Sequence, residues 1–205
     1  MTVVVVDYGL GNLRSVSGAV ERLGCDAVVS SRPDEVARAQ RLILPGVGAF
    51  GDGMRNLRES GLREALDTAV RGRGTPILGI CLGAELMACH SDEFGRHEGL
   101  GWIDATVTKL QPADRSLAIP HVGWNAVRRR RDDALLAYVP DDAWFYFVHS
   151  YHIACRDTDA IVAEADYGGP VLAALHVDNI FGTQFHPEKS QRHGLTVLRN
   201  FLAHA

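Results

Sequence analysis

Short apolar runs alternate with stretches of helical periodicity over residues 2–80. The runs are four or five residues long, which suits buried strands, and they cover 2–6, 25–29, 41–44 and 76–80. Helical patterns separate them, at 13–23, from Pro33 onward, and over 51–71 with a break at Ser60 and Gly61. This alternation predicts a parallel sheet with helices on both faces.

The second half of the chain places strands one after another without helices between them. The predicted strands cover 105–110, 124–128, 144–148, 161–165, 171–175 and 180–184, which favours local antiparallel pairing. A closing helix follows, with an apolar face of Leu195, Leu198, Phe201 and Leu202. The fold class is therefore α/β, with a mostly parallel central sheet and a smaller antiparallel sheet, in a single domain over 1–205.

Two runs of similar residues in this half receive structural interpretations. The aromatic residues from Trp144 to Phe147 are expected to pack in the core. The arginines 128–131, followed by Asp132 and Asp133, are expected to form a solvated hairpin tip, with a partner contact as the less favoured alternative.

Composition excludes several classes of function. A formal net charge of −4 gives no support for binding nucleic acid. The N-terminal residues lack the basic segment and cleavage site of a signal peptide, and no apolar run approaches the ~20 residues that span a bilayer. The 4 cysteines form no C-x-x-C pair, which argues against a zinc site and for the reducing cytoplasm. We expect no metal and no cofactor.

A candidate nucleophile lies at the end of the run 76–80. Gly79 and Gly83 flank Cys81, as in a sharp turn from a strand into a helix that exposes one side chain. The N-terminus of the following helix is expected to lower the thiol pKa. Taken alone, however, a free cysteine at a strand end is more often a buried structural residue.

A distant His-x-Glu segment changes that balance. His186 follows a predicted strand, Pro187 keeps the local backbone extended, and Glu188 lies where it can return to the imidazole. A thiol nucleophile needs a base, and the base needs an orienting group. Cys81, His186 and Glu188 supply the three residue types, although the sequence alone does not show that they meet.

Together, the Gly-Ile-Cys-Leu-Gly segment and His186-Pro187-Glu188 resemble the class I (triad) glutamine amidotransferases. The resemblance is most specific to the glutaminase subunits of imidazole glycerol phosphate synthase, and its segments span nearly the whole chain, at 7–13, 44–50, 120–125, 146–151 and 185–190. It implies the fold of that family. It also implies hydrolysis of glutamine, with ammonia passed to a cyclase subunit with a (β/α)8 barrel in a heterodimer. That partner would act on the ribulosyl-phosphate intermediate of histidine biosynthesis.

The resemblance also implies roles for individual residues. Cys81 would form a glutamyl thioester, His186 would move the proton, and Glu188 would hold the imidazole. The oxyanion would face the backbone N–H of Leu82 and that of Val47, in the oxyanion strand that also contains Gly48. The implied glutamine-binding residues are Glu85, Glu93, His149, Ser150 and Tyr151, and the implied interface residues are Asn12, Trp124 and Lys189. Simpler readings stay open: Trp124 as core, Lys189 as a solvated charge, His149 as a strand-end histidine with its hydrogen bonds satisfied.

One position departs from the family pattern, which continues Cys-x-Gly-x-Gln and here has Glu85. An ionised Glu only accepts hydrogen bonds, whereas a Gln amide also donates. Several consequences are open: Glu85 weakens glutamine binding and raises the pKa of Cys81, it binds the substrate ammonium, it is rescued by a neighbour such as an Arg, or it lies harmlessly near solvent. Two further alternatives remain: an amidotransferase for another acceptor, and a catalytically weakened interaction subunit on the same fold.

Overall fold

The computed structural model describes residues 2–203, which fold into strands and helices in alternation up to residue 85 and mainly into strands thereafter. The strands are β1 Thr2–Val6, β2 Asp26–Ser30, β3 Leu42–Leu44, β4 Ile77–Ile80, β5 Ala88–Ser91, β6 His97–Glu98, β7 Ile103–Lys109, β8 His121–Arg129, β9 Ala143–His149, β10 Tyr151–Cys155, β11 Ile161–Asp166, β12 Pro170–Val177 and β13 Ile180–Thr183. The helices are α1 Leu13–Arg22, α2 Pro33–Arg38, α3 Phe50–Glu59, α4 Leu62–Asp67, α5 Leu82–Glu85 and α6 Gln191–Ala203. None of the helices within 2–203 is long and apolar enough to cross a bilayer.

The main sheet has 9 strands in the order β2-β1-β3-β4-β13-β12-β11-β8-β9. The pairs from β2 to β13 are parallel, and those from β13 to β9 are antiparallel. The predicted α/β class is confirmed, but the antiparallel strands of the second half mostly extend the main sheet. The separate sheet has 4 strands in the order β10-β7-β5-β6 and includes one parallel pair, β5 with β7.

Two apolar clusters cover the opposite faces of the main sheet. One contains Val3 and Val5 of β1 and is covered by α1 and α6. The other contains Val4 and Val6, is covered by α3 and α4, and includes residues of the smaller sheet such as Val107. Side chains along β1 therefore alternate between two buried faces, which explains why an unbroken valine run forms this strand.

The structure differs from the sequence prediction in three strands that were not predicted, β5, β6 and β10, in the length of α5, and in the exposure of Trp144. The helix after Cys81 is a single turn, and the chain continues into β5 and β6, which were not predicted. The apolar run through Leu86 and Met87 is buried all round, so its periodicity does not reveal where the helix ends. The aromatic run alternates: Phe145 and Phe147 are core residues, but Trp144 is 56% exposed, so its predicted burial is wrong.

Candidate active site

The turn between β4 and α5 holds Cys81 in a strained backbone conformation. Its φ of 51° and ψ of −114° lie outside the favoured regions for residues with a Cβ. Both flanking glycines are required by close packing. A Cβ on Gly83 would lie 1.8 Å from the carbonyl oxygen of Leu44, and one on Gly79 would lie 2.6 Å from Cα of Ala84. Gly83 therefore lets the turn press against β3, and Gly79 lets α5 lie close to β4.

Parallel pairing of β4 with β13 brings the distant segments together. The register aligns Ile80 with Thr183, and the backbone N–H of Cys81 donates to the carbonyl of Thr183 at 2.7 Å. The carboxyl ends of the two strands therefore meet at one edge of the sheet. The turn at Cys81 between β4 and α5, called the elbow below, follows β4. His186 and Glu188 follow β13.

His186 and Glu188 form a buried pair. Nδ1 of His186 lies 2.9 Å from Oε1 of Glu188, and each side chain is at most 2% exposed. Since a carboxylate accepts the Nδ1 proton, a neutral imidazole leaves Nε2 as an acceptor. Nε2 is buried and has no hydrogen-bond partner among the described residues 2–203. The pair is thus set up to take a proton at Nε2.

The thiol of Cys81 contacts other groups in this structure. Sγ donates to the carbonyl of Val148 at 3.9 Å and accepts from Nε2 of Gln184 at 3.9 Å. Burial, followed by the negative charges of Glu85 and Glu188, raises the thiol pKa. The expected lowering is therefore wrong. One turn of helix carries little dipole, and its hydrogen bond from Leu82 is outweighed by burial and the two carboxylates.

Cys81 opens into a cavity of about 260 Å³. The residues assigned by resemblance to the oxyanion strand and to glutamine binding all line this cavity, together with Pro120 and Val148: Val47, Gly48, Leu82, Glu85, Glu93, His149, Ser150 and Tyr151. His186 and Glu188 are not among the lining residues and lie buried beside it. Five separate chain segments thus converge on one thiol.

The predicted oxyanion strand is a loop segment that follows the end of β3 at Leu44, and its Gly46 is packed tightly against the turn at Cys81. A Cβ on Gly46 would lie 2.5 Å from Oη of the buried Tyr8 and 2.7 Å from the backbone nitrogen of Gly83. Gly48 has φ +127°, which favours glycine, so the peptide between Val47 and Gly48 takes an orientation that other residues resist. This segment is tied to the cavity rim by the N–H of Phe50, which donates to Oε2 of Glu93 at 2.6 Å.

Glu85 is buried at 5% exposure, so the reading that placed it near solvent is wrong. Its partner is an amide and not an arginine: Nε2 of Gln184 donates to Oε1 of Glu85 at 2.7 Å. Burial raises the pKa of Glu85 to about 8, the amide hydrogen bond lowers it, and Glu93 raises it further. Burial of Glu85 therefore disfavours its ionised form relative to a carboxyl group in water.

His149 is held by a chain of hydrogen bonds. Its Nδ1 lies 2.7 Å from the carbonyl oxygen of Tyr151, which requires a proton on Nδ1 and leaves Nε2 to accept from Nδ1 of His121 at 3.1 Å. Tyr167 stacks on His121 with ring centroids 3.9 Å apart. Burial lowers the pKa of His149 to about 3 and of His121 to about 4, so both imidazoles are neutral.

The three residues assigned to an interface lie near the surface. Trp124 is 41% exposed, so the core alternative is wrong, and its ring contacts Tyr146 with centroids 6.1 Å apart. Nζ of Lys189 lies 5.6 Å from the centroid of the same Tyr146 ring, so Lys189 is not simply a solvated charge. Asn12 is the residue before α1 and makes no side-chain cap.

Several residues at the site were missed from the sequence. Gln184 contacts both Glu85 and Cys81. It could have been found in the sequence as a polar residue at the end of an apolar strand, just before the His-x-Glu segment. Tyr8 and His121 had no such signal. They matter only because the fold brings them to the elbow and to His149.

Similarity to known proteins agrees with this arrangement. A family model described as glutamine amidotransferase class-I matches residues 4–205. The chain is 48% identical over 207 residues to imidazole glycerol phosphate synthase subunit HisH of Caulobacter vibrioides, covering 98% of this chain and 97% of that protein. It is 46% identical to the subunit HisH of Rhodospirillum rubrum, covering 98% of each.

Solved structures share the fold at low sequence identity. PurLQS from Thermotoga maritima matches with a TM-score of 0.74 at 18% identity, covering 98% of this chain and 97% of that chain. A glutamine amidotransferase from the same organism matches with a TM-score of 0.66 at 14% identity, covering 98% of this chain and 96% of that one.

Proposed function

Because this chain belongs to the class I glutamine amidotransferases, and within them to the HisH subunits of imidazole glycerol phosphate synthase, we propose that it releases ammonia from glutamine at Cys81 and delivers it to a cyclase subunit. The observation that supports this most strongly is the cavity of about 260 Å³, where a strained cysteine lies beside a buried His–Glu pair. A side-chain amide entering that cavity would meet the thiol of Cys81 and the backbone around it, with the buried His186 assigned to accept the thiol proton.

The proposed reaction starts with attack of Sγ of Cys81 on the side-chain carbonyl carbon of glutamine. The thiol proton passes to Nε2 of His186, which then returns it to the amide nitrogen as the carbon–nitrogen bond breaks and ammonia leaves. Water, deprotonated by the same imidazole, attacks the thioester and releases glutamate with the thiol restored. The raised thiol pKa suits this sequence, because the proton is transferred during attack and no free thiolate is needed beforehand.

We assign the stabilisation of the tetrahedral oxyanion to backbone N–H groups. The N–H of Leu82 follows the nucleophile directly, and a second donor comes from the peptide between Val47 and Gly48. Each such donor is worth about 3 kcal/mol in the transition state. Since Gly48 adopts φ +127°, a rotation of that peptide is sterically open to it, and we propose that the hole forms fully only when the partner is bound and loaded.

The proposed partner surface is the outer face of β8 and β9. Val122, Trp124 and Trp144 are 56%, 41% and 56% exposed on adjacent strands, which is an unusual concentration of large apolar side chains in contact with water. Aromatic residues of this kind dominate the energetics of protein interfaces. We propose that a (β/α)8 cyclase binds here in a heterodimer. The lyase step on the ribulosyl-phosphate intermediate then belongs to that partner, and this chain performs the hydrolase step.

The four free cysteines Cys25, Cys81, Cys89 and Cys155 suit a reducing compartment, and we place the reaction in the cytoplasm.

Ammonia release from glutamine tests the proposal. We expect the chain alone to show very low activity and the mixture with the cyclase and its ligand to show a large rise. Cys81→Ser should remove activity in both conditions, while Cys89→Ser serves as a matched control that keeps it. Equal rates with and without the cyclase would contradict activation by the partner, and full activity in Cys81→Ser would contradict the nucleophile.

A further inference from the structure

Glu85 is a buried carboxyl group whose only hydrogen bond within residues 2–203 comes from the neutral amide of Gln184. Glu85 lines the same cavity as Cys81 and lies four residues after it in the chain. We propose that Glu85 is a neutral carboxylic acid in the working enzyme and that its ionisation at higher pH suppresses the nucleophile. Where glutamine is concerned, this inference rests on the proposed function, but the charge of Glu85 can be tested without it.

The groups that face Glu85 share one property, which is that none supplies a positive charge at neutral pH. They are the buried phenol of Tyr8 after β1, the thiol of Cys81 at the elbow, the carboxylate of Glu93 between β5 and β6, the amide of Gln184 after β13, and the neutral imidazole of His149 at the end of β9. A carboxylate placed among such groups loses hydration and gains no ion pair in return. The protonated form avoids that cost.

Gln184 can hold Glu85 in either charge state. Its side chain is fully buried, and its Oε1 has no donor in the structure. With Glu85 ionised, Nε2 of Gln184 donates to the carboxylate across 2.7 Å. Half a turn of the amide exchanges its nitrogen and oxygen, so a protonated Glu85 can instead donate to the amide oxygen. Burial raises the pKa of Glu85 to about 8, because it outweighs the lowering by this single amide hydrogen bond.

The charge on Glu85 acts directly on Cys81. After burial, ionised Glu85 is the largest influence that raises the thiol pKa. A neutral Glu85 removes that repulsion and presents one donor and one acceptor, as a glutamine side chain does. It also avoids repelling the carboxylate of an amino-acid substrate in the shared cavity. Glu85 is thus a positioning residue whose charge, and not only its shape, controls the site.

Alkylation of Cys81 by iodoacetamide measures this coupling on the full chain, with the Cys81 peptide followed by mass spectrometry against pH. At about pH 6.5, wild type and Glu85→Gln should react at equal rates, because Glu85 is already neutral. By about pH 9 the variant should react about tenfold faster, which corresponds to one unit of thiol pKa. Glu21→Gln, on the exposed face of α1, should match wild type throughout. A rate ratio that does not change with pH would overturn the proposal.

Gln184→Met provides a second variant. It removes a hydrogen bond that is stronger to ionised than to protonated Glu85, so the pH at which Glu85 begins to slow alkylation should move upward. If the pH at which Glu85 slows alkylation of Cys81 stays the same or falls in Gln184→Met, the titrating group is not Glu85 as proposed.

Thermal unfolding gives an independent readout of the same titration. An acid whose folded pKa lies above its unfolded value contributes stability below the unfolded pKa and loses it as the pH rises through the folded pKa. Wild type should therefore lose Tm relative to Glu85→Gln by several degrees between about pH 5 and pH 8. A constant difference in Tm across that range would mean that Glu85 is ionised throughout.

Kinetics with the cyclase extend the test to the substrate. The KM for glutamine should rise above about pH 8 in wild type and stay flat in Glu85→Gln. A rise of equal size in both would overturn the role of Glu85 at the substrate. If the alkylation pattern appears but neither protein releases ammonia, the proposed function fails while the charge state of Glu85 stands.

Discussion

The elbow at Cys81 and the β8–β9 hairpin use their side chains in opposite ways. At the elbow, residues 77–88 are almost all buried, and two glycines lie against backbone atoms of their neighbours. Along β9, by contrast, Phe145 and Phe147 point into the core while Trp144 is 56% exposed on the other side. Close packing on every side therefore fixes the conformation of the elbow. The hairpin is specified on one face and leaves its other face available to a partner.

Side chains along β9 alternate between buried and exposed. We therefore expect the largest difference in unfolding free energy between substitutions on its two faces. Phe147 is fully buried, stacks on His121 with centroids 4.8 Å apart and contacts Phe185. Phe147→Ala should lower the free energy of unfolding by about 3–5 kcal/mol because it leaves a cavity. The matched variant Trp144→Ala should lower it by less than about 1 kcal/mol, as measured by urea unfolding. Equal losses would mean that the outer face is also part of the core.

The steric argument for the elbow predicts the next largest effect. In Gly83→Ala the new Cβ meets the carbonyl oxygen of Leu44 at 1.8 Å, a backbone atom that cannot move alone. We expect a loss of about 3 kcal/mol, at the upper end of overpacking costs. Gly18→Ala in α1 meets nothing within 4 Å and should instead gain about 0.5–1 kcal/mol. A tolerated Gly83→Ala would show that the elbow is looser than its packing indicates.

The exposed face of the hairpin predicts a smaller effect that appears only in the complex. Trp124→Ala should leave the stability of the free chain within about 1 kcal/mol and weaken binding of the cyclase by about 2 kcal/mol, roughly 30-fold in Kd. Calorimetry with the purified partner measures this. Tyr138→Ala, at a residue 94% exposed in the connection from β8 to β9, is the control and should bind normally. Unchanged binding in Trp124→Ala would mean that the cyclase binds a different surface of the chain.

The same contrast explains what could be read from the sequence. Strands β1 to β4 and the helices between them follow from alternation of local patterns, and the Cys81, His186 and Glu188 segments follow from motifs. The end of α5 was hidden because Leu86 and Met87 are buried without an exposed face to mark a period. The raising effect of Glu85 on the pKa of Cys81 was among the expectations, but the net direction was missed because burial, the largest cause, depends on the tertiary fold.

Contacts between distant residues account for the other omissions. Gln184 meets Glu85 across 99 positions of sequence, and His121 meets His149 across 28. Both contacts depend on strand neighbours, β4 with β13 and β8 with β9, which no local pattern specifies. Exposure of Trp124 and Trp144 likewise depends on which face of the sheet lacks a covering helix. The sequence thus indicated Cys81 as the candidate nucleophile but did not indicate most of the residues that surround it.

Covalent trapping tests most directly whether Cys81 is the nucleophile of a glutamine site. A chloroketone analogue of glutamine is added to the chain mixed with its cyclase, and the adduct is mapped by peptide mass spectrometry. The account predicts one adduct on Cys81, protection by excess glutamine, and no adduct in Cys81→Ser. An adduct on Cys25, Cys89 or Cys155 in place of Cys81, or continued ammonia release after Cys81 is blocked, would contradict it.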